Sequence, residues 1–179
     1  VIGDVHPDVS MKLPSYVVPE GKTDDKALLD LCITGLKERG LARNREYIDR
    51  LKYELRVIAS KDFSRYFLTM HAIIKVAQRR MLVGPGRGSA AASLVAYVLG
   101  LTNIDPIENG LMFERFLNPS RQGAPDIDTD VSDRDLLIEL LREEFGDLNV
   151  IPISNYNTFK LKSLVKDVSR FYGIPFAEV

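Results

Sequence analysis

Three carboxylates, Asp126, Asp128 and Asp130, stand at alternate positions of the stretch GAPDIDTDVSD, residues 123–133. In an extended segment, side chains two positions apart lie on one face about 6.6 Å from each other. The three aspartates would therefore share a face, with Pro125, Ile127, Thr129 and Val131 on the other. Aspartate is depleted in strands and like charges in a row repel, so the pattern carries a local cost that a bound cation would remove. Two divalent ions about 3.5–4 Å apart, bridged by carboxylates of one strand, activate one oxygen and stabilise another in in-line phosphoryl transfer. Mg²⁺, which prefers carboxylate and phosphate oxygens, suits that chemistry. The plain alternative is a solvated aspartate-rich turn, and a D-x-D pair alone does not decide between them. Ser132 or Asp133 reads as the cap of the next helix, outside the site.

A second candidate is the loop VGPGRGSAAASL, residues 83–94. Its glycines, Gly84, Gly86 and Gly88, match neither a Walker A loop nor the dinucleotide fingerprint. Glycines still permit close backbone approach, and a helix opening at Ser89 would offer free N–H groups to an anion. Gly86, Arg87, Gly88 and Ser89 are thus candidates for a phosphate cradle, against a tight turn that needs glycine only for its backbone angles. Arg115 and Arg121 precede Asp126 closely enough to help neutralise a triphosphate in the same cleft. Lys162, Lys166 and Arg170 recur at i, i+4 and i+8, a stripe suited to a nucleic-acid backbone or simply to solvent.

These residues need elements to position them. Residues 1–22, with Pro7, Pro14, Pro19 and Gly21, read as a linker or extended arm. Helical periodicity follows in KTDDKALLDLCITGLKERG, with Leu28, Leu29, Cys32, Ile33 and Leu36 on one face, a Thr23–Asp24 start and a Gly40 stop. REYIDRLKYELRVIAS places Ile48, Leu51, Leu55 and Ile58 together, and SRYFLTMHAIIKVAQRR turns Tyr66, Met70, Ile73, Ile74 and Ala77 inward. MLV then reads as a short strand, AAASLVAYVLG as an alanine-rich helix ended by Gly100, and Asp105–Pro106 as the start of a short helix. DRDLLIELLREEFG is a helix, NVIPIS a strand and NTFKLKSLVKDVSRFYG a last helix.

Composition narrows the class. With 179 residues and 45% hydrophobic content the chain can bury a sizeable core. One cysteine, Cys32, and two histidines, His6 and His71, leave no usual zinc set, so a metal would take oxygen ligands. No run is long and apolar enough to span a membrane, and the N-terminus lacks a signal peptide, which makes a cytoplasmic location the expectation. The net charge of −1 confines any nucleic-acid contact to local patches. The initial valine points to an excised fragment.

In this order, VGPGRGS, FERFLNPSR and PDIDTD resemble the catalytic palm of the bacterial family C replicative DNA polymerases, the DNA polymerase III alpha subunits. The likeness runs from LPSYVVPEG through GLKERG and YFLTM to YNTFKLKSLVKDVSR. It implies an α+β, nucleotidyltransferase-like palm, a small mixed sheet with helices packed on it, plus a helical extension. The palm would occupy 23–135 and the beginning of a thumb 136–179. Asp126 and Asp128 match the two metal-binding aspartates, Gly88 and Ser89 the triphosphate turn, and Arg115 and Arg121 the arginines near the nucleotide. Lys162, Lys166 and Arg170 fall on basic thumb positions that follow the template–primer duplex. Two Mg²⁺ ions, replaceable by Mn²⁺, are the implied cofactors. The implied partners are primer–template DNA, deoxynucleoside triphosphates, phosphoesterase-like and fingers domains, and replication factors, with no membrane.

Ala90 and Ala92 stand where the family has glycine, His71 and Ala72 where it has an aromatic and an aspartate, and Asn157 where it has glycine. These departures mark a divergent member, with a viral source among the options. The family's third catalytic aspartate lies beyond this chain, so the isolated fragment is expected to be inactive. Two competing readings remain, a small-substrate nucleotidyltransferase and a non-catalytic DNA-binding or assembly module with a decayed palm.

Overall fold

The computed structural model describes residues 18, 20–120, 123–154, 158 and 160–175. Helix α1 (Asp24–Glu38) begins where Thr23 Oγ1 accepts from Lys26 N–H at 3.3 Å. It ends at Gly40, whose φ of 72° lets Leu41 N–H reach back to the Leu36 carbonyl at 2.8 Å. Asn44 caps α2 (Arg45–Ser60) through Glu46 N–H at 3.0 Å, and α3 (Ser64–Gln78) follows after a tight turn. The short α4 (Leu94–Val98) leads into the loops before α5 (Arg134–Phe145), capped by Asp133 on Leu136 N–H at 2.9 Å, and α6 (Leu161–Phe171) comes last. No described helix is long and apolar enough to cross a membrane.

The core lies where α1 packs on α3 and α4, and α2 on α4, with α5 resting on α3. Leu28, Cys32, Ile58, Phe67, Leu68, Leu94, Val95, Leu101 and Phe113 are its buried centre, and Ile127 of the aspartate segment joins it. Several faces are turned relative to the sequence expectation. On α2, Tyr47, Glu54 and Val57 are buried beside Leu51 and Ile58, while Ile48 and Leu55 are half-buried. On α3, Ile74 and Ala77 are buried as expected, together with Phe67 and Leu68, while Tyr66, Met70 and Ile73 are only half-buried. Neighbours on two sides widen each buried stripe beyond what a single apolar face predicts.

The α+β palm with a mixed sheet is overturned: among the described residues the chain is helical, with no strand and no sheet. The two extended segments, 81–84 and 130–132, meet at one antiparallel bridge, Val83 with Val131. Gly84 N–H donates to the Asp130 carbonyl at 2.8 Å and Ser132 N–H to the Leu82 carbonyl at 3.0 Å. The ladder stops there for identifiable reasons. Pro85 has no N–H to offer, and its carbonyl accepts from Asn103 N–H at 2.8 Å and from the Thr102 hydroxyl at 3.0 Å. Gly86, at φ 88°, then turns the chain away. The segment 149–154, read as a strand, has no ladder, and its Ile151 and Ile153 are exposed. After Asp105–Pro106 a single hydrogen-bonded turn replaces the short helix, with Asp105 Oδ1 accepting from Ile107 and Glu108 N–H. The arm assigned to 1–22 lies almost wholly outside the described residues, as does Asn157.

Candidate functional site

Alternation along the aspartate segment persists without a sheet. Pro125 and Ile127 are buried and Thr129 is half-buried, whereas Asp126, Asp128 and Asp130 are all exposed. Two hydrogen bonds hold its residues 126–130. Ile127 N–H donates to Tyr66 Oη on α3 at 3.2 Å, and the Asp130 carbonyl takes the Gly84 N–H. The second tie lays the glycine loop against the carboxylates. A methyl group at Gly88 would stand 3.2 Å from Asp128 Oδ2, and one at Gly84 would stand 3.3 Å from Asp130 Cβ. Arg87 Nε lies 3.7 Å from Asp130 Oδ1, with both groups exposed.

The aspartates differ in their neighbours. Asp130 has Arg87 beside it, whereas no described residue donates a hydrogen bond to, or pairs with, the carboxylates of Asp126 and Asp128. No third Asp, Glu, His or Cys among the described residues joins them in a metal-holding group. Two exposed, uncompensated carboxylates fit a hard cation whose remaining positions go to water and phosphate oxygens. Their charge is felt nearby: burial first, then Asp126 and Asp128, push the Tyr66 phenol above its ordinary pKa, against the Ile127 hydrogen bond.

The loop itself differs from expectation. No α-helix begins at Ser89; residues Gly88–Ala92 form a 3₁₀ turn, and α4 begins only after Ser93, whose hydroxyl caps Ala96 N–H at 3.1 Å. The cause is Glu54, fully buried on α2. Its Oε1 accepts from Arg50 Nε at 2.7 Å and Leu94 N–H at 2.9 Å, and its Oε2 from Ser93 Oγ at 2.9 Å and Val95 N–H at 3.0 Å. Burial pushes the Glu54 carboxyl up, opposed by the Val95 and Leu94 N–H groups and Arg50. Arg50 Nη2 also donates to the Ala92 and Leu111 carbonyls, each at 3.0 Å, so α2 ties the end of the glycine loop to the loop that follows α4. Ala90 and Ala92 point into the core.

The structure does not unite every candidate. Arg115 is exposed at the end of a 3₁₀ turn anchored by buried Phe113 and by Tyr53 Oη donating to Glu114 at 2.6 Å, and no described contact carries it to Asp126 or Asp128. Arg121 lies outside the described residues, as does the side chain of Lys162. Lys166 and Arg170 are exposed on α6, with no described contact to the carboxylates.

Sequence reasoning missed Tyr66 as a site neighbour and missed the Arg50–Glu54 clamp. Glu54 had left a signal: it falls at helical spacing within the stripe Tyr47, Leu51, Ile58, where a carboxylate must find donors.

Residues 26–179 match the family model described as the bacterial DNA polymerase III alpha NTPase domain. The chain is 47% identical over 174 residues to the DNA polymerase III subunit alpha of Ureaplasma parvum serovar 3, covering 93% of this chain and 18% of that protein. It is 46% identical to the subunit of the same name from Aquifex aeolicus, covering 92% and 15%, and 44% identical to that of Bacillus subtilis, covering 93% and 16%. The chain thus spans less than a fifth of the length of these relatives.

Proposed function

The chain belongs to the bacterial DNA polymerase III alpha family, and we propose that it supplies the metal- and triphosphate-binding part of a template-directed DNA polymerase. The observation that carries this reading is the single bridge between Val83 and Val131, which sets Gly88 beside the free carboxylate of Asp128. A glycine there leaves room for a triphosphate to approach the backbone closely, beside the aspartates that would hold the cation. Asp126 and Asp128 hold Mg²⁺ or Mn²⁺, and Gly86, Arg87, Gly88 and Ser89 line the phosphates. When bound, the metal pair lowers the pKa of a primer 3′-hydroxyl and stabilises the departing pyrophosphate.

Arg87 can exchange its long contact to Asp130 for a phosphate, since both groups face solvent and an exposed pair is worth at most about 1 kcal/mol. Arg115 and Arg121 add positive charge toward the nucleotide, and Lys162, Lys166 and Arg170 contact the DNA backbone. Primer–template DNA, deoxynucleoside triphosphates, the other domains of a longer polymerase and replication factors are the partners this reading implies. With two carboxylates in the described site and less than a fifth of its relatives' length, the isolated chain binds metal and triphosphate without extending a primer.

The test is a chimera in which this segment replaces its counterpart in the Bacillus subtilis enzyme, assayed by primer extension with Mg²⁺. The reading predicts extension by the chimera and a loss on the order of 10³-fold in the Asp126→Asn/Asp128→Asn version, several kcal/mol of transition-state stabilisation. Equal extension by both would refute it.

A further inference from the structure

We propose that Tyr66 is a positioning residue for the cation site, its hydroxyl holding the aspartate segment in register through the Ile127 N–H, 3.2 Å away. The inference rests on the reading of Asp126 and Asp128 as metal ligands. An extended segment normally satisfies its N–H groups on a neighbouring strand, and a rotation of such a segment exchanges its two faces. Here the ladder ends at the Val83–Val131 bridge, so Ile127, between the two aspartates, has no strand to pair with. Tyr66 takes that place from α3. Its helix is anchored by buried Phe67, Leu68 and Ile74, and the Tyr66 and Phe67 rings meet edge to face at 6.0 Å.

The two ties differ in what they fix. Gly84 N–H on the Asp130 carbonyl sets the far end of the segment, and Tyr66 sets the residue whose backbone separates the two ligands. The buried Ile127 side chain pins the same residue from the inside. With the amide held above and the side chain held below, Asp126 and Asp128 are left to face solvent together. The oxygen of Tyr66 accepts here, so the phenol keeps its own proton. Groups that orient metal ligands from behind typically change metal affinity about 10–100-fold when removed.

Tyr66→Phe keeps the ring and deletes the hydroxyl. Mn²⁺ alone is titrated calorimetrically into the wild-type chain, Tyr66→Phe and Asp126→Asn/Asp128→Asn, alongside metal-free melting and hydrogen exchange at the Ile127 amide. The expected result is saturable Mn²⁺ binding by the wild type, none by the double variant, and binding weakened about tenfold or more in Tyr66→Phe. The Ile127 amide exchanges faster in Tyr66→Phe, and affinity measured well below the melting temperature still falls, which a purely structural role would not produce. Wild-type affinity in Tyr66→Phe, with binding lost in the double variant, overturns the role of Tyr66 and leaves the metal site standing. A wild-type chain that does not bind Mn²⁺ overturns the metal site and the Tyr66 role together. Should Tyr66→Phe fail to fold, rapid exchange of Ile127 in the wild type overturns the positioning role and slow exchange upholds it.

Discussion

Glu54→Gln replaces one acceptor oxygen of a carboxylate that solvent does not reach. If the new amide nitrogen takes the Oε1 place, both Arg50 Nε and Leu94 N–H lose their acceptor. In the Oε2 place the Ser93 hydroxyl can turn to accept, its proton and the Val95 N–H lose their acceptor, and the bonds from Arg50 and Leu94 survive. The second arrangement is the cheaper. One stranded buried N–H costs about 1–3 kcal/mol, and the remaining bonds, from Arg50 above all, lose the strength that an ionised acceptor lends them. Removing one partner of a buried ion pair costs about 3–5 kcal/mol. Two features place this case at the lower end: Arg50 is 22% exposed and keeps its two carbonyls, and a neutral side chain escapes the desolvation that pushes the Glu54 carboxyl up. The expected loss is about 3 kcal/mol, which for a chain of this size lowers Tm by about 6–12 °C. Urea unfolding followed by far-ultraviolet circular dichroism, with thermal melts beside it, measures the loss. A change below about 1 kcal/mol would refute the clamp.

Gly35 stands in the last turn of α1, where an added Cβ would enter the Val98 carbonyl of α4. Gly35→Ala therefore loses about 3 kcal/mol to overpacking, recovers about 1 kcal/mol of helix propensity, and nets a loss of about 2 kcal/mol in urea unfolding. Half-buried His71 donates from Nδ1 to the Leu99 carbonyl at 2.9 Å, and burial holds its imidazole below the usual histidine pKa. Its folded pKa is depressed, so the unfolded chain binds more protons: stability is fully present above about pH 6.5 and is lost as pH falls through the depressed folded value. The urea midpoint of the wild type should drop more between about pH 7 and pH 5 than that of His71→Gln, and parallel pH profiles would contradict this assignment.

Features set by local chemistry were readable in advance. The Thr23 start and Gly40 stop of α1, the full extent of α2, and the Asp133 cap depend on residues within a few positions of one another. So does the alternation of Pro125 and Ile127 against Asp126 and Asp128, which needs only an extended backbone. What depends on distant chain was not readable. Whether 81–84 and 130–132 build a sheet is decided by Pro85, whose carbonyl is claimed by residues 102 and 103, and the outcome is one bridge where a mixed sheet had been expected. The break at Ser93 inside an alanine-rich run follows from Glu54, about forty positions earlier. Gly35 did carry a signal, a glycine costing about 1 kcal/mol inside a helical pattern, which implies a close neighbour without naming Val98. The Tyr66 contact had none, because a tyrosine at an inward helical position reads equally as core.

The central claim is that Asp126 and Asp128 hold a divalent cation beside the glycine loop. Paramagnetic broadening of backbone amide resonances on addition of Mn²⁺ tests it most directly. The account predicts that Gly88, Asp126, Ile127 and Asp128 broaden first, and that Asp126→Asn/Asp128→Asn abolishes the effect. Broadening centred elsewhere, or unchanged in the double variant, would contradict it.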